Sequence, residues 1–522
     1  MNIFRSFLFI FIIVASSCSD DTATNNISNN SNNTNNSNNL NNSNNTNTNN
    51  INNTSNSNNT NTNNINNTNN TNNINGDLRL TSGITVDRVI LWQAVEIPIY
   101  EDSSEVIDLN APIIASRQAL FSVYVTTASD FTSRSVQAVL FITNSSGTTT
   151  YTSTATLGAS ANQDIDSPAF TFVVDAPHMT TDMTFSMAFT DETSPAIAQG
   201  TAHEGLFPSD AGSFTLDVES DLGGLNLVLV PVEYNIDGSG RMPDTSPTQL
   251  AIIEELLHML YPISNLNLTV RAPIEWPQPG ESASSFDFGD MNVFLRDLKA
   301  DDGAPSEAYY YALVRPDETF EDYCSGTCTT GQSYVVSDPD SGSYRVGTGV
   351  GFSGERWVWT LLHEVGHMHG RKHARCGTLS GLDWNYPYSG GGIGTWGYDW
   401  RSSFYVDPDI YTDFMSYCDD NWISDYNYRG LFNRVTAVNS LKKSSAPTHL
   451  SRLLIVKPDG TFRLTKRPTA APRGKTLKVI FLDSAGTILS VQNLAAIRQS
   501  HSDDITIAAD TIPPGTVRIL LQ

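Results

Sequence analysis

Trp357–Cys376, WVWTLLHEVGHMHGRKHARC, is the stretch from which the rest of the chain can be read. It contains His363, Glu364, His367, Gly370 and His373, the spacing H-E-x-x-H-x-x-G-x-x-H. On a helix, His363 and His367 lie one turn apart on one face, so two imidazoles reach a single metal ion. Glu364 stands beside them, placed to take a proton from a water that the metal polarises. His373 poses a geometric problem: a helix continued that far, at about 1.5 Å per residue, would carry it about 15 Å beyond His363 and off the ligand face. The chain must therefore turn back. Gly370 permits this, because glycine takes left-handed backbone angles without a Cβ penalty. Three histidines leave a fourth position open, which is the arrangement of a catalytic rather than a structural zinc. His369, two residues past His367, points to the opposite side of the helix and is expected to stay out of the site.

A second stretch, Asp413-Phe414-Met415-Ser416-Tyr417, follows some 40 residues later. Together the two motifs resemble the metzincin clan of zinc metallopeptidases, over roughly residues 225–429. The resemblance implies that Met415 forms a tight turn beneath the zinc without ligating it. It also implies that Tyr417 matches a tyrosine which astacin-like and serralysin-like members place near the metal. The residue after the third histidine, which helps to sort the clan into families, is Ala374. It is not the Glu, Pro, Asp or Ser of the best-known families, so no subfamily is assigned. Clan members bind an extended peptide along a sheet edge, and Ser333–Val336 is the expected edge here.

The chain has five cysteines. Setting Cys18 aside leaves Cys324, Cys328, Cys376 and Cys418, an even set that suggests two disulfides in an exported protein. The clan geometry brings the third histidine and the Met-turn together, which implies a Cys376–Cys418 bond. Cys324–Cys328 would then close a small loop, with a second zinc site as the rival reading.

Residues 1–17 combine Arg5 with the apolar run Phe7–Ala15, too short to span a membrane, and read as a signal peptide. Ala15-Ser16-Ser17-Cys18 looks like a bacterial lipobox, so cleavage before Cys18 and its lipidation are expected, with ordinary cleavage nearby as the alternative. Ser19, in a Gram-negative cell, would suggest sorting to the outer membrane or cell surface. Residues 18–75 carry Cys18, and from about Asn25 to Asn75 are almost all Asn, Thr, Ser and Ile, with too little apolar content to offset ordering entropy, so they read as a disordered tether. A formal net charge of −25, from 55 acidic and 30 basic residues, argues against nucleic acid as a partner.

The expected architecture is multidomain: an α/β (α+β) metzincin-like catalytic domain over residues 221–434, flanked by all-β domains. Residues 76–220 read as a β-sandwich, with apolar or alternating runs at Val89–Val95, Ala119–Thr126, Val136–Ile142, Phe170–Val174 and Met183–Phe189. In the catalytic domain Leu225–Val232 suits a buried strand. Ser246-Pro247-Thr248-Gln249 then reads as a helix start, with Gln249 completing a capping box. Asp338 and Asp340 offer a calcium site or simply a solvated turn. From Val435 to Gln522 short strands return, including Arg452–Val456, Thr487–Leu489 and Ile505–Ala508, as an accessory module or a stability cap.

The function these readings imply is a zinc endopeptidase that hydrolyses extracellular or cell-surface proteins or glycoproteins. His363, His367 and His373 hold one Zn2+, Glu364 is the general base, and Tyr417 assists. A monomer, attached to the membrane through the lipid on Cys18, is expected. The competing class is a surface-binding protein that uses the same scaffold for adhesion; a third reading is a maturation or shedding protease for neighbouring surface proteins.

Overall fold

Strand β8 (Leu225–Tyr234) shows how this protein divides its interior. Side chains alternate across a strand. Leu225, Leu227 and Leu229 enter one apolar core, while Val230 and Val232 enter a second on the opposite face. Its neighbour β10 (Ala308–Val314) does the same, sending Tyr309, Tyr311 and Leu313 to the first core and Tyr310, Ala312 and Val314 to the second. A strand buried on both faces needs the continuous apolar run that the sequence has there. With β9 (Leu266–Val270), β11 (Gly331–Ser333) and β12 (Val346–Val350) these form a sheet in the order β9-β8-β10-β12-β11. All its pairings are parallel except that of the outer strand β11, which runs antiparallel to β12. Helices α1 (Pro247–Leu260) and α3 (Arg356–Met368) feed the first core, and α2 (Phe288–Asp301) feeds the second.

The computed structural model describes residues 78–522, apart from 161–162, 199, 281, 284, 378–379 and 442–449. The expected signal peptide, the lipidated Cys18 and the Asn-rich tether lie outside the described residues. Mostly strands with few helices, the described part has all-β regions on both sides of the central sheet.

Before the central sheet come β1 (Ile84–Trp92), β2 (Glu96–Glu101), β3 (Ala119–Thr127) and β6 (Phe170–Val174) in one antiparallel sheet. A second holds β4 (Arg134–Asn144), β5 (Gly147–Leu157) and β7 (Thr184–Thr190). Their facing side chains share the first core with α1 and α3. Strand β5, GTTTYTSTATL, lacks the apolar alternation that marks the others. As a threonine-rich edge strand it relies on β-branched stiffness instead.

After it, β13 (Arg452–Val456), β14 (Thr476–Leu482), β15 (Ile488–Arg498) and β16 (Ile505–Ala509) form an antiparallel sheet in the order β13-β16-β15-β14, with short strands outside each end. β15 extends well past the Thr487–Leu489 segment expected from sequence. Helix α4 (Asp425–Ser440) also runs beyond Val435, where the sequence reading turns to strands. Leu431, Phe432, Val435 and Val438 recur at helical spacing and are all buried. Among the described residues no helix is long and apolar enough to cross a membrane.

The helix start at Pro247 is as expected: Ser246 Oγ accepts from the Gln249 amide. Gln249 does not complete the capping box, however. Its side chain exchanges two hydrogen bonds with Gly354, donating to the carbonyl at 3.1 Å and accepting from the amide at 2.7 Å. This ties the start of α1 to the loop that precedes α3.

Candidate metal centre

Helix α3 carries His363, Glu364 and His367, with Val358, Leu361, Leu362 and Val365 buried beneath it. It lies hard against β11. A Cβ placed on Gly331 would come within 2.8 Å of Glu364 Cγ, so a side chain there would push the helix off the sheet. The helix ends at Gly370, whose φ of 82° is left-handed. The Gly370 amide donates to the His367 carbonyl and the Arg371 amide to that of Gly366, closing the end. The reversal brings the Arg371 carbonyl back over the helix, 2.7 Å from His367 Nδ1.

The same device recurs at each histidine of the motif. His363 Nδ1 lies 2.8 Å from the Phe414 carbonyl and His373 Nδ1 2.8 Å from that of Ser380. A carbonyl only accepts, so each Nδ1 carries the proton and each Nε2 keeps its lone pair. Those lone pairs converge: His367 Nε2 and His373 Nε2 are 3.0 Å apart, and the buried Nε2 of His363 has no hydrogen-bond partner among the described residues. Burial pushes His363 down to about 3 and His373 to about 4, and holds His367 well below the ordinary histidine value, against the pull of the nearby Glu364 charge. Neutral imidazoles with Nδ1 tied to fixed acceptors are the donor set a metal ion requires.

Met415 lies under this cluster, its sulfur packed so close to Gly366 that a Cβ there would clash with it. Its turn hangs on the buried Asp413 carboxylate, which accepts from the Met415 amide, from Ser424 through both amide and hydroxyl, and from Asn427. Backbone bonds from Ala374 to Met415 and from Tyr417 to Cys376 join the turn to the third-histidine segment. Cys376 and Cys418 are bonded across that junction, with Cα atoms 5.7 Å apart. Cys324 and Cys328 form the second disulfide. Two disulfides suit an oxidising, extracellular environment.

A fourth imidazole, unforeseen from sequence, completes the cluster. His501, in the turn after β15, packs with its ring centroid 5.3, 5.5 and 5.1 Å from those of His363, His367 and His373. One ring nitrogen from each of the four histidines falls within 4.8 Å of the others. His501 Nε2 is 2.8 Å from Glu364 Oε1, and Nδ1 meets the Tyr417 hydroxyl. Glu364 Oε2 accepts from Ser333 Oγ at 2.6 Å and Ser500 Oγ at 2.9 Å. Burial alone would raise the Glu364 carboxyl; the facing His501, by charge and hydrogen bond, together with His367 and His363, outweighs it and holds the group below the usual carboxylate value.

No family model matches the chain, and no curated protein matches it. The site must therefore be read from its own geometry. Glu364, Tyr417 and the three motif histidines meet at one place. His369 stays apart, stacked on Tyr309 at 4.4 Å. Asp338 and Asp340 lie in the turn, where Asp338 accepts from the Asp340 amide and Asp340 pairs with Arg473 at 2.5 Å. A cavity of about 460 Å³ opens beside His367 and His373, lined also by Trp384, Lys372, Lys475 and Arg498. Ser333, Ser500 and His501 carry no local spacing that sequence reasoning could use.

Proposed function

We propose that the chain is a zinc-dependent endopeptidase of the metzincin clan, with an α/β catalytic domain between two all-β domains. It would be exported, anchored to a bacterial envelope through Cys18, and act on extracellular or cell-surface proteins. The observation that carries this reading is the convergence of three Nε2 lone pairs, each fixed by an Nδ1 proton bound to a carbonyl, beside a buried carboxylate. His363, His367 and His373 would hold the zinc, which when bound supplies Lewis-acid polarisation of the scissile carbonyl and of the attacking water. Glu364 takes that water's proton and returns it to the leaving amine. Tyr417, once its hydroxyl is released from His501, would donate to the developing oxyanion. Strand β11, at the sheet edge, pairs with the backbone of an extended substrate.

The test is zinc content together with new termini in a diverse peptide digest. It compares the exported chain and its His501→Ala form, each with and without Glu364→Ala. One zinc per chain, with termini that vanish when Glu364 is replaced, is expected. Cleavage by neither form, with zinc bound, would favour the adhesion scaffold. That rival draws its support from the full engagement of Glu364 by Ser333, Ser500 and His501.

A further inference from the structure

The sheet edge that a substrate would use is filled by the chain itself. Arg498–Ser500 runs antiparallel along the outer side of β11 and the residues after it. The Val335 amide donates to the Arg498 carbonyl at 3.0 Å, Tyr334 pairs with Gln499, and the Ser500 amide donates to the Ser333 carbonyl at 2.7 Å. An extended peptide added to a sheet edge makes this same kind of ladder. The contact is well built. Gln499 and Ser500 are buried, and Gln499 Oε1 accepts from Gln332 at 3.1 Å and from Asn292 at 3.0 Å. Leu453, Ile497 and Ala508 complete the second core beneath. The next residue, His501, adopts a left-handed φ of 53°, uncommon for a side-chain-bearing residue, and that turn carries its ring in among the three motif histidines.

We infer that the C-terminal β-domain holds the peptidase latent: Arg498–Ser500 lies in the place of a substrate strand, and the His501 ring fills the space beside the three motif imidazoles where a fourth ligand would stand, held there by Glu364 and Tyr417. The inference rests on the metallopeptidase reading above. Substrate binding then requires this segment to leave β11. When it leaves, it frees the sheet edge, the fourth metal position and the general base together.

Cobalt(II) serves as the probe in the full chain, with wild type, His501→Ala and His501→Asn compared; asparagine tolerates the left-handed turn. Circular dichroism confirms that each form is folded. Both substitutions are expected to change the visible cobalt spectrum as an imidazole is lost. Cobalt affinity should fall roughly tenfold or more, at least what losing an outer-shell partner costs. Peptide cleavage should rise roughly tenfold or more as the open form becomes populated. Identical spectra in all three forms would overturn the inference. So would a changed spectrum with equal cleavage, or cleavage that falls, which would make His501 a participant in turnover. Cobalt bound by none of the three would instead defeat the metal reading itself.

Discussion

The imidazole of His501 and the carboxylate of Glu364 are 2.8 Å apart, joining the C-terminal sheet to the motif helix inside the histidine cluster. Both oxygens of Glu364 are engaged, so its charge is held ready but its basicity is lowered. Glu364→Gln keeps the volume and an acceptor for the serine hydroxyls while removing the proton acceptor. In a His501→Ala background it should leave metal stoichiometry unchanged and lower kcat/KM by roughly 10²–10⁴-fold, the usual weight of a general base. Steady-state kinetics with zinc analysis checks this.

Stability of the metal-free protein should fall as the pH drops below about 6.5. Burial depresses His363 to about 3, His369 to about 3 and His373 to about 4, all from 6.5, and holds His367 well below 6.5 too. Below the unfolded value the unfolded chain binds more protons than the folded one, so each such group withdraws about 1.4 kcal/mol per pH unit until its folded value is reached. Glu364, also depressed, acts with the same sign at lower pH. Melting followed by circular dichroism at about pH 7.5 and about pH 5 should show a clear decrease at the lower pH. An unchanged midpoint would mean that the histidines are solvated.

The depressed histidines depend on second contacts that no sequence pattern announces. The three motif histidines and Gly370 were legible because helix geometry over a few residues dictates their spacing. The carbonyls of Phe414, Arg371 and Ser380 were not, since every residue has a carbonyl and only the folded path selects one. Phe170–Val174 was legible to the residue because burial imposes an apolar pattern. The threonine-rich Gly147–Leu157 was not, nor was most of Ile488–Arg498, whose burial alternates without a strong apolar period. His501 was the largest omission. It reaches the cluster by sheet docking, between two serines, far from the motif along the chain.

The two disulfides should differ in weight. Cys376–Cys418 closes a separation of 42 residues and Cys324–Cys328 one of 4. Loop-closure entropy alone assigns about 4 kcal/mol to the first and about 2 kcal/mol to the second. Only the first fastens the His373 segment to the Met415 turn, beside the Tyr417-to-Cys376 backbone bond. Replacing Cys376 and Cys418 by serine should therefore lower both the denaturation midpoint and metal affinity, measured by chelator competition. Replacing Cys324 and Cys328 should leave metal affinity unchanged.

Gly370→Ala should weaken the metal site through the backbone. The residue sits at φ 82°, and an added Cβ would come 2.7 Å from the Val336 carbonyl. A left-handed alanine costs about 1–2 kcal/mol before any clash is counted. The helix end must shift to relieve it, moving the Arg371 carbonyl away from His367 Nδ1. Metal affinity should fall roughly tenfold or more, as for other losses of a ligand's outer partner. Calorimetric titration measures it directly.

Arg117 should prove that the N-terminal sheets and the motif helix share their stability. Its guanidinium is buried and donates to three carbonyls at the end of α1: Met259 and Tyr261 at 2.5 Å and Ile263 at 3.1 Å. The negative end of the helix dipole favours a cation there. Tyr261 in turn donates to the Leu362 carbonyl of α3 at 2.7 Å, next to His363. Arg117→Ala strips the donors from buried carbonyls and leaves a void, a loss of about 3–5 kcal/mol by analogy with breaking other buried charge contacts. If those sheets and the motif helix share one core, unfolding stays a single transition at a lower temperature, and the near-ultraviolet signal of both regions is lost together. Two separated transitions, or a loss within about 0.5 kcal/mol as at an ordinary surface site, would show that the sheets stand by themselves.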